Sequence, residues 1–116
     1  MAVPCYGPCV EHEPASAPRV PRGTLANGTL GAMRELVVCA DLLSRGFDVF
    51  RAVSPSCSFD LVAHRSGRLY RVEVSTGFAR PDGSISHSKR DTSRFDLLGL
   101  VLQSGDVAYQ PGIETL

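Results

Sequence analysis

Two carboxylates carry the chemistry this sequence offers. Asp60 and Glu73 flank Ser66-Gly67, a dipeptide suited to the centre of a tight hairpin, and a two-residue or symmetric four-residue loop there sets Asp60 directly opposite Glu73. Side chains alternate along a strand, so Asp60, Val62 and His64 share one face while Arg71, Glu73 and Ser75 share the matching face of the partner. Both acids then project the same way with Cβ atoms about 5 Å apart. Like charges that close repel, and Phe59, Leu61, Tyr70, Val72 and Val74 around them are the residues of a buried strand, where an unpaired carboxylate is costly. Arg71 offers an ion pair, the commoner answer for a lone strand acid. A divalent cation is the other answer: two carboxylates, a backbone carbonyl and water make the oxygen-only, partly hydrated shell that Mg²⁺ or Mn²⁺ takes. A third acid, Glu35, lies upstream in a stretch of helical period.

These residues must be positioned by the elements around them. From Leu30 to Arg45 the apolar residues Leu30, Met33, Leu36 or Val37, Ala40 and Leu43 recur at three and four, which predicts an amphipathic helix with that stripe buried. Gly31, Glu35, Cys39 and Leu42 form a second stripe beside it, so Glu35 can turn toward the strands. Asn27 or Thr29 is expected to cap the helix and Gly46 to end it. Three strands are expected next, Asp48 to Val53, Phe59 to Arg65 and Leu69 to Ser75, because Val, Phe, Leu and Tyr gather there between Ser, Pro and Gly punctuation. A polar excursion over 79–94, with Pro81-Asp82-Gly83 as a turn, precedes a last pair, Phe95 to Leu102 and Val107 to Gln110, around Ser104-Gly105.

The excursion carries Arg80, Lys89, Arg90 and Arg94 against Asp82 and Asp91, with Ser and Thr donors between them. That is the best place in the chain for phosphate contacts, although the same composition also makes a solubilising loop. His64 and His87 offer imidazoles that could serve as a base toward water. Four strand residues, about 13 Å, separate His64 from Asp60.

Composition bounds the rest. The chain has 116 residues, 43% hydrophobic and 21% charged, enough for one domain with a single core. Twelve basic residues balance twelve acidic ones, so bulk basicity does not announce a nucleic-acid binder and any polyanion site is local. No apolar run reaches the roughly 18 to 20 residues of a membrane span, and the N-terminus lacks the layout of a secretory signal. A cytoplasmic chain with no membrane partner is expected. Residues 1–28 hold five of the eight prolines and read as a flexible tail before a domain over 29–116. Within the tail, Cys5, Cys9 and His12 are spaced like the start of a zinc site but lack the fourth ligand a structural zinc needs. Four reduced thiols are therefore expected.

Gly31 through Glu35 on a helix closed at Gly46, then Phe59-Asp60-Leu61-Val62, then Val72-Glu73-Val74-Ser75-Thr76, together resemble the PD-(D/E)XK nuclease superfamily, in particular its small Holliday-junction-resolvase-like and intron-endonuclease-like branch. The resemblance spans roughly residues 29 to 110. It implies an α/β, restriction-endonuclease-like αβββαβ core, a mixed sheet with the N-terminal helix packed on it. It further implies Mg²⁺ (or Mn²⁺) dependence and hydrolysis of phosphodiesters in DNA, branched DNA included. A junction-cutting enzyme is expected to work as a homodimer, since two strands need cutting. By the same resemblance Asp60 and Glu73 are metal-binding acids, Val74 supplies a carbonyl ligand, and Glu35 is the auxiliary helix acid. Phe59 replaces a common Pro, and Ser75 stands where the motif has Lys. The motif lysine orients or helps deprotonate the attacking water and stabilises charge on the phosphorane, which a neutral hydroxyl does not do by charge. Three answers stay open: Lys89 folds back to the site, Arg71 supplies the charge, or cleavage is lost and the fold is kept to bind DNA or a protein partner.

Overall fold

A computed structural model describes residues 19–116; the Cys5, Cys9 and His12 cluster and most of the proline-rich segment lie outside the described residues. A 3-10 turn at Arg22–Thr24 leads into helix α1, Asn27–Ser44. Neither Asn27 nor Thr29 caps it: the N-cap is Ala26, in extended conformation and without a side-chain cap bond. The other end behaves as its sequence predicts. Gly46 takes φ +85°, and the N–H groups of Gly46 and Phe47 donate to the carbonyls of Leu43 and Leu42, each at 3.1 Å. This crossed pair is a Schellman closure, which needs a residue free to enter the left-handed region.

The buried face of α1 differs from the expected one. Val38 and Leu42 are fully buried, with Cys39 packed beside them, whereas Leu36 and Leu43 are 53% and 58% exposed and Met33 and Val37 are also exposed. The inward face is thus the stripe that carries Glu35, rotated about one residue, or about 100°, from the predicted one. Its cause lies in the sheet, where a Cβ placed on Gly99 would sit 3.1 Å from a Val38 methyl. Glycine at that position lets the helix approach at Val38, a contact that apolar period alone does not encode.

Seven strands follow: β1 (Asp48–Arg51), β2 (Leu61–Arg65), β3 (Arg68–Thr76), β4 (Phe78–Ala79), β5 (Ile85–Ser86), β6 (Leu97–Val101) and β7 (Val107–Gln110). Five form one sheet in the order β1-β2-β3-β6-β7, in which only β3 and β6 run parallel; β4 and β5 pair as a separate hairpin. The β2–β3 turn has Ser66 at φ +55° and Gly67 at +75°, both left-handed as a two-residue hairpin turn requires. Its register, Leu61 opposite Val72 and Val62 opposite Arg71, is the predicted one. A parallel neighbour demands a crossover. Where the resemblance implies a second helix, the crossover from β3 to β6 holds the β4–β5 hairpin and a 3-10 turn at Thr92–Arg94, capped by the Asp91 carboxylate accepting from the Ser93 N–H. The polar excursion has no apolar stripe with which a helix could dock.

Helix α1 covers one face of the sheet, over Phe47, Leu61, Ala63, Val72 and Leu97. On the opposite face Phe95, Leu98 and Leu100 pack with Ile85 of β5. Alternation along β3 sets Val72 toward the helix and Arg71, Glu73 and Ser75 toward the excursion. Among the described residues no helix is long and apolar enough to cross a membrane.

Candidate active site

The site forms where the β2–β3 ladder stops. The Asp60 N–H donates to the Val72 carbonyl at 3.0 Å, and Val72 is already opposite Leu61, so the strand bulges here and Asp60 does not stand directly opposite Glu73 as expected. The next β3 group facing that side is the Val74 N–H, and the Asp60 carboxylate accepts it through Oδ2 at 2.8 Å. Asp60 therefore takes the place of a missing strand residue, with its side chain held by backbone. Within a strand the N–H and C=O of one residue point to the same neighbour, so the Val74 carbonyl faces the same gap.

Glu73 is half-buried on the adjoining position of β3. Its pKa is raised above the ordinary carboxylate value, mainly by burial; the Arg90 charge pulls it down and the Asp60 charge pushes it up, with Arg94 and Asp91 acting more weakly in those two directions. Glu73 thus feels a second carboxylate and an arginine at once. Glu35 lies across a polar cleft that also holds Arg51, Ser54, Cys57 and Asp60, and its Oε1 is 3.8 Å from Arg51 Nη2.

Position 75 is where residue types alone were least informative. Ser75 is only 5% exposed, and its hydroxyl accepts a 2.7 Å hydrogen bond from Arg90 Nη2. Arg71, the neighbour on the same face, is engaged elsewhere: its Nε and Nη2 reach Asp96 Oδ2 and Oδ1 at 3.1 and 3.0 Å. Arg94 pairs with Asp91 at 3.3 Å. Lys89 and Arg80 are exposed, and the Arg80 backbone closes the β4–β5 hairpin by donating to Ser84 O at 2.8 Å. Neither histidine joins the carboxylates. His64 Nδ1 lies 3.3 Å from Asp48 Oδ2 at the far end of β2, and His87 sits between Ser88 O and Gln110 Oε1, at 2.8 and 3.0 Å.

The sequence reading missed the Arg90–Ser75 contact and the Arg71–Asp96 pair. Both depend on how the crossover lies on the sheet; the only local signal was a hydroxyl inside a buried strand.

Among the described residues no three His, Cys, Asp or Glu side chains converge as a closed metal cluster would. The groups that could hold a metal are two carboxylates and a carbonyl at a strand end. That set suits Mg²⁺, which keeps several waters and shares substrate phosphate oxygens, and it does not suit a structural zinc.

An α/β fold with a helix on one face of a mixed sheet, and paired acids where its central antiparallel ladder ends, defines a nuclease-type domain of the restriction-endonuclease-like class. The sequence profile described as PD-(D/E)XK endonuclease matches residues 27–106, most of the chain, and the chain belongs to that family. Among solved structures, the bacterial homing endonuclease I-Ssp6803I is similar in fold, with a TM-score of 0.58 and 17% identity over 73% of this chain and 68% of that one. No curated protein matches.

Proposed function

We propose that the chain is a divalent-metal-dependent DNA endonuclease, in which Asp60, Glu73 and the Val74 carbonyl hold Mg²⁺ or Mn²⁺. One observation carries this reading: the Asp60 carboxylate, oriented by the Val74 N–H at 2.8 Å, stands beside a Glu73 that burial and like charge hold partly protonation-prone. A cation relieves that repulsion, and family membership supplies the reaction class. When bound, the metal supplies a Lewis acid for the scissile phosphate and an acidified water. The protein's own groups do the remaining work. Backbone hydrogen bonding orients Asp60, Glu73 completes the acidic pair, and Glu35 adds negative charge across the cleft. Arg90 and Arg94 beside the acids, with Arg80 and Lys89 further along the crossover, contact the DNA backbone. Branched DNA as substrate and a homodimer that cuts two strands are the finer form of this reading.

The test is calorimetric titration with Mg²⁺ and Mn²⁺ joined to cleavage of duplex, branched and single-stranded DNA. Wild type should bind metal and cut; Asp60→Asn, which keeps an acceptor for the Val74 N–H, should lose both. Ser75 in the lysine position favours a second reading, a nuclease-fold module that binds DNA or a protein without cutting. DNA binding with no cleavage under either ion would select it.

A further inference from the structure

Acid-rich phosphodiesterase sites need positive charge near the phosphorane as well as a metal, and position 75 does not provide it. The cations near the strand ends differ in what they bind. Arg71 is paired with Asp96, Arg94 with Asp91 and Arg51 with Glu35. Arg90 instead rests on a neutral oxygen, the hydroxyl of the nearly buried Ser75, at 2.7 Å. That contact uses one of the five N–H donors of the guanidinium and neutralises none of its charge. Ser75 and Glu73 share a face of β3, so the guanidinium is held beside Glu73, on which its charge acts.

We infer that Arg90 is the cation of the reaction, supplied from the crossover in place of the lysine that the strand lacks, and that Ser75 is its positioning residue. This rests on the nuclease reading above. The step is hydrolysis: a water oxygen bonds to phosphorus, the ester P–O bond to the departing sugar breaks, the attacking water releases its proton to solvent and the departing oxygen takes one from solvent. Arg90 exchanges no proton, because a guanidinium stays protonated. Its free donors bind the non-bridging oxygens, and bind them more strongly as charge builds there. Two consequences separate this role from the other candidates. Lys89 becomes dispensable. Ser75→Lys in the wild type brings a second cation into space the guanidinium already fills, and does not raise the rate.

Single-turnover cleavage of the DNA that wild type cuts, read beside DNA affinity in Ca²⁺, tests the inference. Arg90→Ala should slow cleavage by about 10²- to 10³-fold while weakening DNA binding far less. Ser75→Ala should cost roughly tenfold, the loss of one hydrogen bond to a charged group. Ser75→Lys added to Arg90→Ala should recover cleavage, since the ammonium then enters vacated space, and guanidinium ion should partly rescue Arg90→Ala but not Asp60→Asn. Cleavage by Arg90→Ala at the wild-type rate, or a loss of rate matched by an equal loss of affinity, overturns the inference while a dead Asp60→Asn still upholds the nuclease. A wild type that cuts no DNA overturns both.

Discussion

Glu73 ties the chemistry of the site to the stability of the chain. Burial, opposed by Arg90 and reinforced by Asp60, raises its pKa above the ordinary carboxylate value, so the folded protein holds a proton more readily than the unfolded chain. The sign follows from linkage: stability associated with Glu73 is complete below the ordinary Glu pKa and is lost as pH rises through the raised value. Glu73→Gln removes the charge and should melt at a higher temperature than wild type at neutral pH, with the difference vanishing well below the ordinary Glu pKa. Thermal melts across pH check this. Metal should reverse the order, because a ligand at a hundred times its Kd adds about 2.7 kcal/mol to the state that binds it. Saturating Mg²⁺ is thus expected to raise the melting temperature of wild type and to leave Glu73→Gln largely unmoved. The hairpin register from Leu61 to Arg68 was legible beforehand because Ser66-Gly67 centres it, whereas the shift at Asp60, whose N–H donates to the Val72 carbonyl, was not, because alternation does not encode a bulge. Arg90 was not legible, since its approach to Ser75 spans fifteen residues that include the β4–β5 hairpin, and no period encodes it.

At the scale of elements, α1 shows what a hydrophobic pattern determines and what it leaves open. Its existence, its end at Gly46 and its position before the strands all follow from sequence. Which face turns inward does not, because the helix has apolar residues on more than one face and the choice is made by Gly99 on β6. Substitution distinguishes the two stripes directly. Leu42→Ala, in the fully buried stripe, should cost about 2–5 kcal/mol in urea unfolding, whereas Leu43→Ala next to it, mostly exposed, should stay within about 0.5 kcal/mol. Equal losses at both positions would mean that the expected stripe is the buried one. The crossover between β3 and β6 teaches the complementary lesson. Its turn at Pro81-Asp82-Gly83 was legible from composition and its two short strands were not; the family pattern pointed to a helix there, and the chain forms a hairpin and a 3-10 turn instead.

The whole molecule divides its labour across the sheet: the helix-covered face supplies most of the core, and the opposite face seats the crossover that brings Arg90 to the acids. Gly77, between β3 and β4, is where that second layer comes closest. A Cβ there would lie 2.9 Å from Ile85 Cγ2 and 3.0 Å from both Leu100 Cβ and Leu102 Cδ2; the Leu102 methyl can turn away, but Leu100 Cβ is fixed to the β6 backbone, so Ile85 has to give. Gly77→Ala should therefore push β5 outward. Overpacking of this kind costs about 1–3 kcal/mol. The displacement should propagate to Arg90, which lies on the same crossover beyond β5, while Asp60 and the Val74 N–H that orients it belong to the β2–β3 pair and are left in place. Mg²⁺ affinity is thus expected to stay near that of wild type while the cleavage rate falls, at a temperature where the variant remains folded. Leu42→Ala, tested under the same conditions, should lose stability with its rate nearly intact. A Gly77→Ala protein that loses metal affinity as severely as rate would show that the acidic pair and the crossover move as one body, and that the sheet does not insulate the metal-binding acids from the layer that covers them.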